Sequence, residues 1–216
     1  MNRVVFLLDT GKPAVYRAAK WFSEHLDHVL LGVKGSPRIQ IDGVEYLDIS
    51  DISAVAEWID CVYGKLDILV LGTINTPSDG EVGTGHDYEQ FTETLTENVT
   101  VCREMIEALH PLLLKGLKRI ACITEKESSV SWNEGGADLA YTASLAAVNM
   151  LGRMMFNKLR PEGFTFRWFS EGDEPCGMCA AEYITSALCY DPKEPYTHSD
   201  ENRFVLRDGV LREYSW

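Results

Sequence analysis

Residues 52–71 read ISAVAEWIDCVYGKLDILVL, and this stretch decides the fold class. Its first part carries apolar residues at helical spacing and predicts a helix over 52–63, with the stripe formed by Ala54, Val55, Trp58, Ile59 and Val62. The run LDILVL at 66–71 follows directly and predicts a strand. Helices that alternate with short apolar strands are typical of a parallel sheet flanked by helices.

The same alternation extends from this stretch to both ends of the chain. Further strands are predicted at 4–8, 28–33, 46–49, 119–124, 164–169 and 204–206, and further helices at 14–26, 91–114, 138–158 and 180–190. Only KGSPRIQIDGVE (34–45) separates strands two and three, which is too short for a full crossover helix. We therefore predict one Rossmann-like α/β domain over 1–216, a doubly wound parallel sheet of about seven strands.

The charge and the hydropathy pattern narrow the possible partners and the location. The chain has 216 residues and a formal charge of −13. An acidic surface argues against nucleic acid and against anionic membranes as partners. The apolar run near the start ends at Asp9 and is too short for a signal peptide, and no later run reaches membrane-spanning length. We expect a cytoplasmic protein.

Metal binding is not expected from the cysteines and histidines. The six cysteines stand singly except for Cys176 and Cys179, whose spacing also suits redox or metal chemistry. No second pair of this kind and no nearby histidine pair accompanies them, so free thiols are the favoured interpretation. His86, His110 and His198 have no ligand spacing with one another.

In its order of motifs, the chain resembles the short-chain dehydrogenases/reductases over nearly its whole length. The residues that carry the resemblance are Thr10-Gly11, Asp48-Ile49-Ser50, LDILV at 66–70, Asn98 in ENVTV, RIACIT at 119–124, Tyr141 in YTASLAAV, Pro161-Glu-Gly163, Glu171-Gly172 and Arg207-Asp208-Gly209. The resemblance implies a doubly wound sheet that binds NAD or NADP. It also implies hydride transfer between the nicotinamide and a carbonyl or alcohol.

The cofactor-binding positions implied by the resemblance are Gly11, Lys12, Asp48 and Gly72. Glycines in the family's first turn let the backbone approach the pyrophosphate at a helix N-terminus. Here the turn reads TGKPAVYRAAKW, and the later glycine positions fall at Ala14 and Tyr16. We expect Tyr16 to hinder a closely bound phosphate, and Ala14 to hinder it less. Lys12 adds a charge that could attract phosphate. A plain strand–turn–helix corner is the preferred interpretation of this turn.

Two further segments that match the family's cofactor site give little support for cofactor binding. After LDILV the family usually has Asn-Asn-Ala-Gly, whereas this chain has Leu71-Gly72-Thr73-Ile74. Asp48 matches the acidic residue that binds the adenine end, although an aspartate that ends a strand is also common in turns.

The family's catalytic set of Asn, Ser, Tyr and Lys is retained only in part. Asn98 and Tyr141 match, whereas the serine aligns with Glu125 unless a short insertion gives the role to Ser128 or Ser129. Leu145 replaces the lysine, one helical turn after Tyr141. The nearest basic residues further along this helix are Arg153 and Lys158. Without the ammonium, the pKa of a buried tyrosine moves up, the wrong direction for a base.

Three functions are compatible with the sequence. The preferred one is a divergent relative that binds no cofactor tightly and keeps the fold for binding or assembly. The second is an NAD(P)-dependent oxidoreductase that acts on a small carbonyl or alcohol through Tyr141, and the third is a binding protein for another small molecule. Relatives of this kind commonly pair the helices that correspond to 91–114 and 138–158, so a homodimer or homotetramer is expected.

Overall fold

A computed structural model describes residues 3–25, 28–35, 37, 39–74, 87–132, 138–170, 179–186 and 203–214. Eight strands form one sheet: β1 Val4–Leu8, β2 His28–Val33, β3 Val44–Asp48, β4 Ile68–Gly72, β5 Arg119–Thr124, β6 Thr165–Ser170, β7 Leu206–Asp208 and β8 Glu213–Tyr214. The described residues contain six α-helices: α1 Pro13–His25, α2 Ile52–Tyr63, α3 Tyr88–Leu95, α4 Val101–Leu114, α5 Leu139–Leu159 and α6 Ala180–Ser186.

The sheet has the doubly wound order 3-2-1-4-5-6-7-8. The first seven strands run parallel, and only β8 pairs in the antiparallel sense, with β7. The predicted Rossmann-like parallel sheet of about seven strands is therefore confirmed, with a short antiparallel strand added at one edge. The strand order reverses between β1 and β4, and in such sheets ligands bind at the carboxyl ends of the strands at this point.

Each face of the sheet carries its own apolar core. One core packs α2, α4 and α5 against the sheet, and its largest buried side chain is Trp168. The other packs α1 and α6 on the opposite face, around Phe22 and Tyr183. The central strands are buried on both faces and therefore read as continuous apolar runs, which is why the sequence located them well.

The segment 91–114 is helical throughout, as predicted, but the helix starts earlier and contains a π-helical turn. It begins at Tyr88, where the Asp87 side chain accepts hydrogen bonds from two backbone amides of the first turn. The π-helical turn Thr96–Thr100 then separates α3 from α4. Apolar spacing does not reveal one wide turn, so the sequence pattern predicted a single regular helix.

The described residues between β2 and β3 contain no helix, as the shortness of 34–45 led us to expect. The polar segment 75–86, which includes Gly80, Gly83, Gly85 and His86, lies outside the described residues, as do His198, Cys176 and the predicted helical residues 187–190.

Candidate active site

Three elements meet at the switch point of the sheet and bring Tyr141, Glu125 and Lys12 together. Tyr141 lies in the first turn of α5, where its backbone amide donates to the Asp138 side chain at 2.9 Å. Glu125 directly follows β5, and Lys12 stands in the turn between β1 and α1. We call these three side chains the Lys12–Glu125–Tyr141 cluster.

Each member of the cluster contacts the other two. The Lys12 ammonium donates to the Glu125 Oε1 atom at 2.5 Å and also to the Tyr141 hydroxyl. The Tyr141 hydroxyl donates to the Glu125 Oε2 atom at 2.9 Å. The ammonium also lies 4.7 Å from the centre of the Tyr141 ring. The polar groups of the cluster therefore satisfy one another.

Lys12 brings a cation to Tyr141 that the sequence did not predict there. Leu145 is fully buried in the apolar core, in keeping with the packing role expected from its position. No lysine or arginine lies one helical turn from Tyr141, as the sequence indicates, but Lys12 reaches Tyr141 from another element. Helical spacing identifies Arg153 and Lys158 further along α5, whereas Lys12 lies 129 residues away from Tyr141 in the chain. The one feature of the sequence that could have indicated this contact is a pair of changes: an acid in the serine position and no cation at 145.

Glu125, and not Ser128, contacts the Tyr141 hydroxyl. Ser128 is buried at the end of the 3₁₀ turn Lys126–Ser128, and its Oγ atom has no hydrogen-bond partner among the described residues. Its carbonyl accepts from the Asn149 side chain at 3.0 Å, further along α5. The structure therefore does not bring Ser128 to Tyr141, and the direct alignment of Glu125 with the serine position fits the geometry better.

Asn98 holds the segment after β4 against α5. It lies buried in the π-helical turn, where its Oδ1 atom accepts from the Ile74 amide at 2.8 Å and its Nδ2 atom donates to the Ile74 carbonyl. Nδ2 also donates to the Ser144 hydroxyl at 2.8 Å, and that hydroxyl donates to the Tyr141 carbonyl. Asn98 thus supports the backbone of Tyr141 and does not contact its hydroxyl.

Burial and the neighbouring carboxylate together raise the pKa of Tyr141 well above its ordinary value. The side chain is removed from water, which disfavours the phenolate, and the negative charge of Glu125 adds to this effect. Lys12 supplies a positive charge, but the same ammonium is paired with Glu125. The phenol therefore stays protonated at neutral pH.

The turn after β1 is closed by a carboxylate. Gly11 adopts a φ of 74°, in the left-handed region, and its amide donates to the Asp9 side chain at 2.8 Å. The Tyr16 hydroxyl lies 3.4 Å from the second Asp9 oxygen. A carboxylate at a helix N-terminus is favourable for the helix, but it holds an amide that a phosphate would need and repels that phosphate. In this turn the Gly11 amide is already bonded to the Asp9 carboxylate.

Gly72 packs closely against Thr10. A Cβ atom at this position would lie 2.6 Å from the Thr10 Cγ2 atom, so the glycine is needed for the contact between the two segments. The hydroxyl of Thr10 is buried and has no hydrogen-bond partner among the described residues.

Asp48 lies exposed at the end of β3. Hydrogen bonds from the Ser50 hydroxyl, at 2.7 Å, and from the Ser50 amide, at 2.9 Å, lower the pKa of its carboxyl. These contacts form a local turn of the kind that aspartate favours, and they leave the carboxylate at the surface.

The described residues contain no group of three or more histidine, cysteine or acidic side chains that could hold a metal ion. Within the described part of the chain, Cys61, Cys102, Cys122 and Cys179 are free thiols, and His110 stacks on Phe164 and lies 3.3 Å from Glu162. No helix among the described residues is long and apolar enough to cross a membrane.

No family model matches the chain. One curated relative, C-signal of Myxococcus xanthus, is 39% identical over 79 residues, which make up 36% of this chain and 48% of that protein. The chain therefore matches about half the length of this relative.

Solved structures cover more of the chain at lower identity. Sniffer of Caenorhabditis elegans, a presumed carbonyl reductase, aligns over 100% of both chains with a TM-score of 0.79 and 18% identity. A presumed short-chain dehydrogenase/reductase from Burkholderia multivorans with bound NADP aligns over 100% of both chains, with a TM-score of 0.72 and 16% identity. A dehalogenation enzyme aligns over 79% of this chain and 72% of its own, with a TM-score of 0.67 and 18% identity. The resemblance to short-chain dehydrogenases/reductases is thus confirmed for the fold.

Proposed function

We propose that this protein is a divergent short-chain dehydrogenase/reductase-like protein with little or no oxidoreductase activity, which uses the fold for binding or assembly. One observation carries the proposal. The Tyr141 hydroxyl, which would have to exchange a proton with a substrate, is enclosed between Lys12 and Glu125. A fold alone does not determine an activity, and the dehalogenation enzyme among the structural neighbours illustrates this point.

Acid–base chemistry at Tyr141 is unfavourable in this arrangement. The raised pKa of Tyr141 opposes its use as a base at neutral pH, and Glu125 adds to that rise. The loss of general acid–base help typically lowers a rate by about 10²–10⁴-fold. We infer negligible turnover of carbonyl substrates.

Dinucleotide binding is unfavourable at the β1–α1 turn. Asp9 already accepts the Gly11 amide hydrogen bond, and Lys12 is paired with Glu125 rather than left available for a phosphate. The Burkholderia protein binds NADP, which suggests only which class of cofactor this chain would use if it were active, NAD or NADP. We propose that neither is bound tightly.

A turnover assay tests the proposal directly. The purified chain is mixed with NADH or NADPH and a panel of aldehydes and ketones, beside the Tyr141→Phe and Leu145→Lys variants. We expect no oxidation above background in the parent chain and none that depends on Tyr141. Turnover in the parent that disappears in Tyr141→Phe would overturn the proposal.

The alternative function is an NAD(P)-dependent oxidoreductase that acts on a small carbonyl or alcohol through Tyr141. The observation in its favour is the Lys12 ammonium at the Tyr141 hydroxyl, because a cation beside the phenol stabilises the phenolate. Under this alternative the parent turns over, and Lys12→Met abolishes turnover as completely as Tyr141→Phe. Lys12→Arg, which keeps the charge, would then retain part of it.

Two further parts of the proposal concern location and assembly. The acidic composition and the absence of a long apolar run in the sequence support a cytoplasmic protein with neither nucleic acid nor membrane as partner.

The outer face of α5 carries Met150 and Met154, which are 61% and 62% exposed. Exposed apolar side chains of this size on one helix support a homodimer or homotetramer.

A further inference from the structure

The Lys12–Glu125–Tyr141 cluster has the arrangement of an activated amine nucleophile. Lysine amines form imines with aldehydes and ketones when a neighbouring base takes their proton. Such a base lies within hydrogen-bonding distance of the nucleophile and is held in place by a third group. Lys12 Nζ lies 2.5 Å from Glu125 Oε1, and the Tyr141 hydroxyl donates to Glu125 Oε2 at 2.9 Å. The three side chains therefore match a nucleophile, its base and the group that orients the base.

The charged side chains of the cluster are partly buried but open to a small molecule. The Lys12 and Glu125 side chains are 15% and 32% exposed. Both residues directly follow the carboxyl ends of strands beside the switch point of the sheet, where ligands bind in folds of this kind. Lys12 thus differs from an ordinary surface lysine such as Lys115, whose side chain is 50% exposed.

Tyr141 is suited to act as an acid in imine chemistry. Burial and the Glu125 carboxylate raise the pKa of Tyr141, so its hydroxyl keeps its proton at neutral pH. This state is unfavourable for a base, but it places a proton donor beside the Lys12 nitrogen. The oxygen of a carbonyl group that is attacked by Nζ would lie next to this donor.

We propose that Lys12 forms a reversible imine with small aldehydes, with Glu125 as the proton acceptor and Tyr141 as the proton donor. The Lys12 ammonium gives one proton to Glu125, and the freed electron pair of Nζ attacks the carbonyl carbon. The carbonyl π electrons move to the oxygen, which takes the Tyr141 proton, and Tyr141 recovers a proton from the nitrogen. Glu125 then protonates the new hydroxyl, which leaves as water while the nitrogen electron pair forms the C=N bond.

The charges of the cluster are the same before and after this reaction. The protonated imine carries the positive charge that the ammonium carried, and Glu125 is again a carboxylate that pairs with it. The ion pair seen in the structure is therefore kept in the product. The reaction needs no dinucleotide, so this inference goes beyond the proposed function and does not depend on it.

Reductive trapping of the full chain with propanal and sodium cyanoborohydride tests the proposal. Cyanoborohydride reduces an imine to a stable secondary amine, and peptide mass spectrometry gives the initial rate of propyl addition at each lysine. Lys115 is the internal control, because it also pairs with a carboxylate, that of Asp60 at 2.6 Å, but lies at the surface. We expect Lys12 to be labelled at least about tenfold faster than Lys115, although it is the less exposed of the two.

Matched variants assign the two proton transfers. Glu125→Gln removes the proton acceptor and Tyr141→Phe removes the donor, so each should slow labelling of Lys12 by about tenfold or more and leave Lys115 unchanged. Asp60→Asn is the matched control, because it removes the carboxylate from Lys115 and should not slow labelling there. A carboxylate that only shields Lys12 would give the opposite result, since Glu125→Gln would then speed labelling.

Three results would overturn the proposal. The first is labelling of Lys12 no faster than that of Lys115, which would identify an ordinary ion-paired lysine. The second is faster labelling of Lys12 in Glu125→Gln, and the third is an unchanged rate in Tyr141→Phe. The trapping experiment contains no NADH or NADPH, so its failure is distinct from a failure of the proposed function, which the turnover assay detects.

Discussion

At the scale of single residues, the cluster differs from the family that the chain resembles in where its charged side chains come from. The cation expected at 145 is supplied by Lys12, and the serine position holds Glu125. The new acid neutralises the new cation, and both contact the phenol. An ammonium that would favour the phenolate is thereby paired with a carboxylate that opposes it.

The first residue-scale prediction concerns the pH dependence of stability. The pKa of Tyr141 is raised in the folded state, so the folded state favours the protonated phenol. The corresponding stability is fully present below the unfolded pKa of about 10 and is lost as the pH rises towards the folded value. Urea unfolding at pH 8 to 11 should show the parent losing its advantage over Tyr141→Phe above about pH 10, by up to about 1.4 kcal/mol per pH unit.

This comparison cancels the contribution of Tyr63, whose pKa is also raised. Burial and a hydrogen bond to Glu45 raise the pKa of Tyr63 to about 12, and Tyr63 is present in both proteins. A constant difference between the parent and Tyr141→Phe from pH 8 to 11 would contradict the buried, protonated state of Tyr141.

The second residue-scale prediction is energetic coupling between Lys12 and Glu125. Their side chains are 15% and 32% exposed, so the pair is only partly screened by water. A double-mutant cycle with Lys12→Met and Glu125→Gln, measured by urea unfolding, should give a coupling of about 1 kcal/mol.

The ion pair between Lys115 and Asp60 is a matched control. Its nitrogen and oxygen lie 2.6 Å apart, but the side chains are 50% and 53% exposed. Coupling in this pair should stay below about 0.5 kcal/mol, because solvent screens it. If the two cycles gave equal values, the cluster would be as open to water as the surface pair.

Sequence reasoning placed Tyr141, Asn98 and Gly11 in the correct elements but did not place Lys12 and Glu125 in contact with each other. Motif order and hydrophobic periodicity locate residues on helices and strands. Contacts between side chains more than a hundred residues apart depend on the folded sheet, which brings the ends of β1 and β5 to one edge. The asparagine could be matched by its motif, whereas its bonds to Ile74 and Ser144 depend on a π-helical turn that the pattern does not show.

At the scale of elements, α5 is positioned on the sheet by close contact at Gly152. A Cβ atom there would lie 2.4 Å from the Trp168 Cζ2 atom and 2.9 Å from Phe204, and the Trp168 ring is fully buried and cannot move aside easily. Gly152→Ala should therefore destabilise the fold by about 1–2 kcal/mol, because the steric cost exceeds the roughly 1 kcal/mol gained in helix propensity.

Asn157→Ala, at an exposed position of the same helix, serves as the control for Gly152→Ala. It removes no buried contact and should change stability by no more than about 0.5 kcal/mol. Thermal or urea unfolding of both variants gives the comparison. A stabilised Gly152→Ala protein would mean that α5 does not sit as close to β6 as described.

At the scale of the whole molecule, the sequence predicted the sheet well because its central strands are continuous apolar runs. The apolar character of the outer face of α5 is also visible in the sequence. The helix has apolar residues beyond those buried on the sheet, and Met150 and Met154 lie exposed on its outer face. Whether a second copy covers part of that face depends on a partner chain, which a single sequence does not contain.

The prediction at this scale is a homo-oligomer that depends on α5. Light scattering at micromolar concentrations should give twice or four times the mass of 24.3 kDa for the parent. Met154→Glu should shift the population to monomer, because two-fold pairing places the new charge in both copies of the interface. Val62→Glu, at a 51% exposed apolar position on α2, should leave the mass unchanged. A monomeric parent would contradict the expectation.

We propose that side chains of the chain itself close the dinucleotide crevice, and isothermal titration with NADPH and NADH tests this proposal. Asp9 holds the Gly11 amide, and Lys12 is held by Glu125 and Tyr141. We expect neither cofactor to bind with a Kd tighter than about 1 mM, which corresponds to a binding free energy of about −4 kcal/mol. A Kd in the low micromolar range for either cofactor would contradict the account.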